Sequence, residues 1–225
     1  MTTRKSSGTD PLKCFMNPPK LCRVYDLLLS ELGPQYWWPA DTAFEVVVGA
    51  MLTQQTKWTN VEKAIKGLKD HCLLEVEPLA EADIELLEEL VRCCGFYRQK
   101  ASRLKAIAAF FAEHGMENIF SLPVVELRKT MLSLKGVGNE TADSIVLYAA
   151  NRPKFVIDAY TTRMMKCIGI EGNYMQLQSM FETELPEDVD IYKEYHALIV
   201  EYSKAFCGKK RCNECILKDL DENGY

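Results

Sequence analysis

Apolar positions recur at helical spacing along almost the whole chain. Phe44, Val47, Val48, Met51 and Leu52 repeat at three- and four-residue intervals, and Thr42 with Glu45 forms a capping box ahead of them. Val61, Ala64, Ile65 and Leu68 line one face of a second helix, for which Thr59 and Glu62 supply the same signature. Between the two lies a short polar loop, Thr53-Gln54-Gln55-Thr56-Lys57, closed by Trp58. A tryptophan in such a loop suggests contact with something outside the fold. The same periodicity predicts helices over 84–94, 99–113, 124–133, 141–150, 159–167, 175–184 and 191–206. No stretch alternates apolar and polar residues as a half-buried strand does, and no repeat of fixed period is present. The chain is predicted to be all-α.

Composition changes this picture little. With 225 residues and 48% hydrophobic content, there is enough apolar material for a substantial core. Met1 to Pro11 is polar, so no secretory signal is expected, and the uncharged apolar run 46–52 is far too short to cross a bilayer. A cytoplasmic protein, associated with the nucleoid, is expected. The net charge of −5 is unevenly spread. Residues 73–90 hold seven acids and no base, so removing those seven leaves the rest of the chain at +2. A basic face for a polyanion is therefore compatible with the acidic total. Nine cysteines are scattered through helical patterns, and those outside the C-terminal group read as reduced and structural.

Two short segments carry the chemistry. Leu134-Lys135-Gly136-Val137-Gly138-Asn139-Glu140-Thr141 makes a tight, sparsely covered turn between two helices. The second helix offers its N-terminal N–H groups as a seat for a phosphate, although an ordinary helix–helix turn has the same appearance. Further on, the apolar run Phe155-Val156-Ile157 delivers Asp158 to the start of a helix. As an N-cap it accepts backbone N–H bonds and stays ionised, a role that by itself can be purely structural.

Together, Gly136-Val137-Gly138 and Val156-Ile157-Asp158-x-x-Thr161 resemble the helix-hairpin-helix and glycine/proline–aspartate signature of the endonuclease III superfamily of DNA glycosylases. The resemblance runs from about Pro39 to Cys215. It includes, in family order, the Leu52 to Thr56 loop, Gly95-Phe96-Tyr97-x-x-Lys100-Ala101 and the C-terminal cysteines. It implies two helical domains, 38–148 carrying the hairpin and 1–37 joined with 149–225, with Asp158 in the cleft between them. The backbone at Gly136, Val137, Gly138 and Thr141 would grip a DNA phosphate, with a monovalent cation at carbonyls near Leu134 and Val137. Gln54 matches the position that fills the hole left by an extruded base, and Phe96 matches a second wedge, with core packing as its alternative. Asp158 would stabilise the oxocarbenium-like sugar formed when the base of a flipped nucleotide leaves. Bifunctional members attack the sugar with a lysine in the hairpin helix, where this chain has Glu140, so a monofunctional, monomeric glycosylase acting on damaged double-stranded DNA is expected.

Tyr36-Trp37-Trp38-Pro39, Lys57-Trp58, Gly95-Phe96-Tyr97 and the helix from His196 through Glu201-Tyr202-Ser203-Lys204 are similar to the 3-methyladenine DNA glycosylase III branch. That likeness implies a cationic alkylated purine held between two aromatic rings at the positions of Trp38 and Trp58, with Lys204 in the pocket. Leu198 departs from a second pocket lysine of that branch, and Trp37 reads as core. Kept open beside it are a glycosylase for oxidised pyrimidines or mismatched thymine or uracil, and a non-catalytic hairpin module that binds DNA. Relatives end in four cysteines around a [4Fe–4S] cluster. Here Cys207-x4-Cys212-x2-Cys215 has a shortened first spacing and Asp221 where the fourth thiolate is expected, which leaves occupancy by iron, or by zinc, open.

Overall fold

The structure, a computed structural model, describes residues 19–220, including every side chain except those of Cys212 and Asp219. Asp221 lies outside the described residues. Helices α1 (Lys20–Leu32), α2 (Ala43–Leu52), α3 (Trp58–Asp70), α4 (Val76–Glu81), α5 (Ile84–Leu90) and α6 (Tyr97–His114) come first. They are followed by α7 (Met116–Phe120), α8 (Val124–Ser133), α9 (Asn139–Ser144), α10 (Ala159–Cys167), α11 (Tyr174–Glu184) and α12 (Val189–Ala205). There is no strand among the described residues, as the periodicity predicts. The chain forms two compact units, one from Trp38–Val156 and one from Met1–Trp37 with Ile157–Tyr225.

In the middle unit, α2 is the core helix. Every residue from Phe44 to Leu52 is buried, as expected of a helix apolar on all sides. The Oγ1 of Thr42 accepts the Glu45 N–H as predicted, while the Glu45 carboxylate reaches back to the N–H of Asp41. The second expected box does not form. Lys57 is the N-cap of α3 and supplies no side-chain bond, so Trp58 is the first helical residue rather than the end of a loop. Val61, Ala64 and Leu68 of α3, and Ala101, Leu104, Ala108 and Phe111 of α6, then close on α2. The 84–94 prediction splits, because the chain leaves α5 at Leu90 and tightens into a 3₁₀ turn over Arg92–Cys94. The helix predicted over 141–150 begins as α9 and widens into a π segment, Ile145–Ala149, whose last turn is closed by the Ala150 N–H on Ile145 O at 2.9 Å.

The other unit has α12 at its centre, with Tyr192, Tyr195, Leu198 and Tyr202 almost wholly buried. The rings of Tyr25 on α1 and Phe181 on α11 meet that of Tyr195 edge-on at 5.2 and 5.3 Å, and the Tyr195 hydroxyl donates to Leu21 O. Helix α1 escaped the sequence reading because Pro19 precedes it with no capping side chain. Its own period is plain: Leu21, Val24, Tyr25 and Leu28 are buried on one face. Helix α4 is short and acidic, and carries Pro78 in its first turn, the helical position where proline is tolerated.

Candidate active site

Phe155, Val156 and Ile157 are buried, and they bring Asp158, itself in extended conformation, to the N-cap of α10. One carboxylate oxygen accepts the Thr161 N–H at 2.7 Å and the Thr161 hydroxyl at 2.8 Å. The other oxygen stands 3.7 Å from Nε2 of His196, itself only 4% exposed. Burial pushes the carboxyl pKa upward, but the hydrogen bonding and charge of His196 and the two Thr161 donors outweigh it. The carboxyl is therefore held below its ordinary value, as an anion with little water around it. The sequence around His196 carries no sign of this role, since nothing local in α12 reports a partner at the start of α10.

Trp37 belongs to the same cluster and is not a core residue. It is half-buried, its ring centroid lies 5.9 Å from that of His196, and the Lys204 ammonium stands 5.4 Å from its centroid. Lys204 is exposed and pairs with Glu201 at 2.8 Å. The order along this wall is thus Asp158, His196, Trp37, Lys204.

Trp38 and Trp58 meet edge to face in the middle unit, with centroids 5.3 Å apart and planes at 84°, and Trp38 also packs on Tyr148 at 5.1 Å. The two rings thus stand perpendicular to one another rather than as parallel faces. They form instead one wall of a groove of about 370 Å³ whose other sides include Glu45, Glu62, Lys66 and Lys69.

The hairpin runs from α8 to α9. Gly136 has φ +88°, and a Cβ there would overlap the Arg103 side chain. Gly138 has φ −95° and open space where a Cβ would go. Val137 and Thr141 are buried, so only their backbones and the Thr141 hydroxyl can serve the turn. Gln54 is latched to it: Nε2 donates to Gly136 O at 2.9 Å and to the Thr141 hydroxyl at 3.0 Å, and Oε1 accepts from Arg103 at 3.2 Å. Lys100, 3% exposed, donates to the carbonyls of Leu52, Gln54 and Cys94, which fixes the Gln54 backbone; burial lowers its pKa. Arg128 on α8 grips the wholly buried carboxylate of Asp143 with two bonds, 2.6 and 3.1 Å, and reaches Asn139 at 3.0 Å. Phe96 is 63% exposed and left-handed (φ 46°) at the start of α6, so it is not packed in the core. Glu140 is exposed in the first turn of α9.

The C-terminal cysteines supply fewer thiolates than an all-cysteine [4Fe–4S] cluster takes. Such a cluster is held by four, and the expected segment supplies three. The Cys215 sulfur accepts a hydrogen bond from the buried Tyr202 hydroxyl at 3.5 Å, and that hydroxyl also accepts the Ile216 N–H at 2.9 Å. The ring of Tyr202 stacks on Phe206, and Arg211 sits over Phe206. Among the described residues no group of three or more His, Cys, Asp or Glu side chains is arranged to hold a metal ion. Cys215 and Ile216 are thus tied to α12 through the Tyr202 hydroxyl.

An all-α fold with a glycine hairpin followed by a capped, anionic aspartate matches what the sequence resemblance to DNA glycosylases implies. The family profile described as HhH-GPD superfamily base excision DNA repair protein matches residues 48–187. The chain belongs to this superfamily and is a base-excision-repair DNA glycosylase. It is 48% identical over 206 residues to a Methanocaldococcus jannaschii protein named as a DNA repair glycosylase, covering 88% of this chain and 94% of that one. It is 29% identical to endonuclease III of Thermotoga maritima, over 78% of this chain and 81% of the relative. Among solved structures, Helicobacter pylori 3-methyladenine DNA glycosylase bound to 1,N6-ethenoadenine superposes with a TM-score of 0.74 at 31% identity, over 83% of this chain and 97% of that one. A non-covalent endonuclease III–DNA complex shares the fold, with a TM-score of 0.76 at 20% identity over 91% and 95% of the two chains.

Proposed function

We propose that the protein binds double-stranded DNA as a monomer and hydrolyses the N-glycosidic bond of a flipped alkylated purine, without cutting the strand. The observation that carries this reading is the buried anionic carboxylate of Asp158, with His196 and the Trp37 indole beside it. As the base departs, positive charge develops on the sugar, and a fixed anion in a dry site favours that state more than the ground state. Because one Asp158 oxygen is committed to Thr161, the other is the one that orients the attacking water. A purine made cationic by alkylation stacks well on an indole and leaves without a general acid. In this reading the ring that serves the carboxylate cluster is Trp37, and Trp38 with Trp58 forms an aromatic wall. Phe96, exposed at a left-handed position, is the wedge; Gln54 must release the hairpin before it can enter the duplex. No step passes through iron. The absence of a lysine at Glu140 supports hydrolysis over imine chemistry.

The test is base release from duplexes carrying 3-methyladenine, thymine glycol, uracil or a G·T mismatch, with and without alkali, and with borohydride present. Release of 3-methyladenine, strand breakage only after alkali and no trapped adduct are expected. Efficient trapping would overturn the monofunctional reading. A second reading, release of oxidised pyrimidines or of mismatched thymine or uracil, is favoured by the relatives named endonuclease III. Release from those substrates alone would select it.

The hairpin makes its own prediction. Gly138→Ala should leave the fold intact, since its backbone suits any residue and its Cβ meets nothing. If the turn holds a phosphate against this backbone, the new Cβ occupies the space it approaches through, and displacing one charge-assisted bond costs about 1.5–3 kcal/mol, or roughly 10- to 150-fold in duplex affinity. Damaged and undamaged duplex should suffer alike, because phosphate contacts read no sequence. Gly136→Ala should instead lower the melting temperature, being strained at φ +88° and crowded by Arg103.

A further inference from the structure

Among the described residues, the large hydrophobic side chains most open to solvent include two aromatic ones, Tyr36 at 86% and Phe96 at 63%. Both stand in the left-handed backbone region, at φ 52° and 46°. A bulky L-residue adopts that conformation only at a cost, and keeps it where its surroundings impose it. Phe96 has a place in the reading above. Tyr36 has none.

The segment that carries Tyr36 is a built strap. Gly33, at φ 68°, stops α1 by donating to Leu29 O, and the Gln35 side-chain amide caps the same helix end at Leu32 O and Gly33 O. The backbone N–H groups of Gln35 and Tyr36 then donate to the two oxygens of the Glu194 carboxylate, at 2.5 and 3.3 Å. Glu194 lies on α12, two residues before His196. The next residue of the strap, Trp37, reaches the His196 ring, which stands against Asp158. A carboxylate clamp on consecutive amides therefore holds the left-handed turn that puts one ring into the Asp158 cluster and its neighbour into solvent.

We propose that Tyr36 is a DNA-contacting residue that stacks on a base flanking the flipped nucleotide, and that Glu194 is the positioning residue that presents it. The proposal rests on the reading of Asp158 as the carboxylate at which the flipped nucleotide reacts. Extruding a nucleotide unstacks its neighbours and bares their faces. An aromatic ring carried on a clamped backbone, one residue from the ring beside His196, replaces that stacking with little backbone ordering on binding, and it is indifferent to sequence because every base has a π-face. Aromatic surface that the free protein leaves exposed thus becomes contact area for opened DNA.

The test uses the full chain and a duplex carrying a tetrahydrofuran abasic analogue, which binds without turnover. Tyr36→Ala should weaken binding by about 5- to 150-fold, the equivalent of about 1–3 kcal/mol for one lost base–aromatic stack. Tyr36→Phe and Tyr36→Trp should retain wild-type affinity. The Tyr36→Ala melting temperature should not fall, and that of Tyr36→Gly should rise as the left-handed strain is relieved. Glu194→Ala should reproduce the binding loss with the tyrosine in place. Unchanged affinity of Tyr36→Ala, or a loss that merely tracks a lowered melting temperature, would overturn the proposal. If wild-type protein released no base from any damaged duplex but bound the abasic duplex in a Tyr36-dependent way, the assignment of Asp158 would fall and the contact would stand.

Discussion

Asp158→Asn should slow base release on the order of 100- to 10,000-fold, the range of a positioned group that acts on developing charge or on a proton. The substitution keeps the shape of the side chain and an oxygen that can still accept from Thr161, so α10 should stay capped and the fold intact. What it removes is the anion facing His196, which persists to below the ordinary carboxylate value of 3.8 because His196 and Thr161 offset the burial. Duplex affinity should survive, since the variant loses no positive charge. Single-turnover release from a methylated duplex, measured beside binding to the abasic analogue, separates the two quantities. A variant with near-wild-type release would leave Asp158 as a helix cap and nothing more.

The largest effect on stability should come from Arg128→Ala. Asp143 is wholly buried in α9, and the Arg128 guanidinium on α8 meets both of its oxygens. Removing one partner of such a pair leaves a desolvated charge and costs about 3–5 kcal/mol, which corresponds to roughly 6–20 °C of melting temperature in a chain of this size. Adding Asp143→Ala to Arg128→Ala should restore much of the loss, because the stranded charge then disappears. Thermal melts of the single and double variants measure this directly, and equal melting temperatures for Arg128→Ala and wild type would reject it. Since the pair joins the two helices of the hairpin, Arg128→Ala should also bind undamaged duplex less well at temperatures where it remains folded.

The features legible in the sequence are the local ones. Core positions of α2 and α8 follow from three- and four-residue spacing, and Asp158 as an N-cap follows from its place between an apolar run and a helix. Boundaries moved where local chemistry misled. The capping signature at Thr59 and Glu62 places Trp58 in a loop, yet Lys57 caps α3 with no side-chain bond and Trp58 is helical. Partnerships across long separations left no local trace. Gln54 reaches 82 residues to Gly136, and Lys100 reaches 48 residues to the carbonyl of Leu52, so neither the latch nor a buried lysine could be read from periodicity. Trp37 reads as core because tryptophans usually are, and only the packing of α12 reveals it beside His196.

The widened turn at Ile145–Ala149 bears on which insertions and deletions this chain can absorb. An α-helix advances about 100° per residue, so one residue more or less swings everything beyond it around the axis. A π segment is the trace of such an added residue, taken up by hydrogen bonds that reach one position further back. Here it sets the azimuth of Tyr148, which meets Trp38, and of the chain that leaves toward Phe155 and Asp158. A one-residue deletion within 145–149 would restore a regular ladder and keep the backbone bonded. It would also turn Tyr148 away from Trp38 and misdirect the exit of the helix. Such a frame change is conservative by the count of hydrogen bonds and disruptive by phase, so length variation among related chains should avoid this turn while loops such as 71–75 accommodate it.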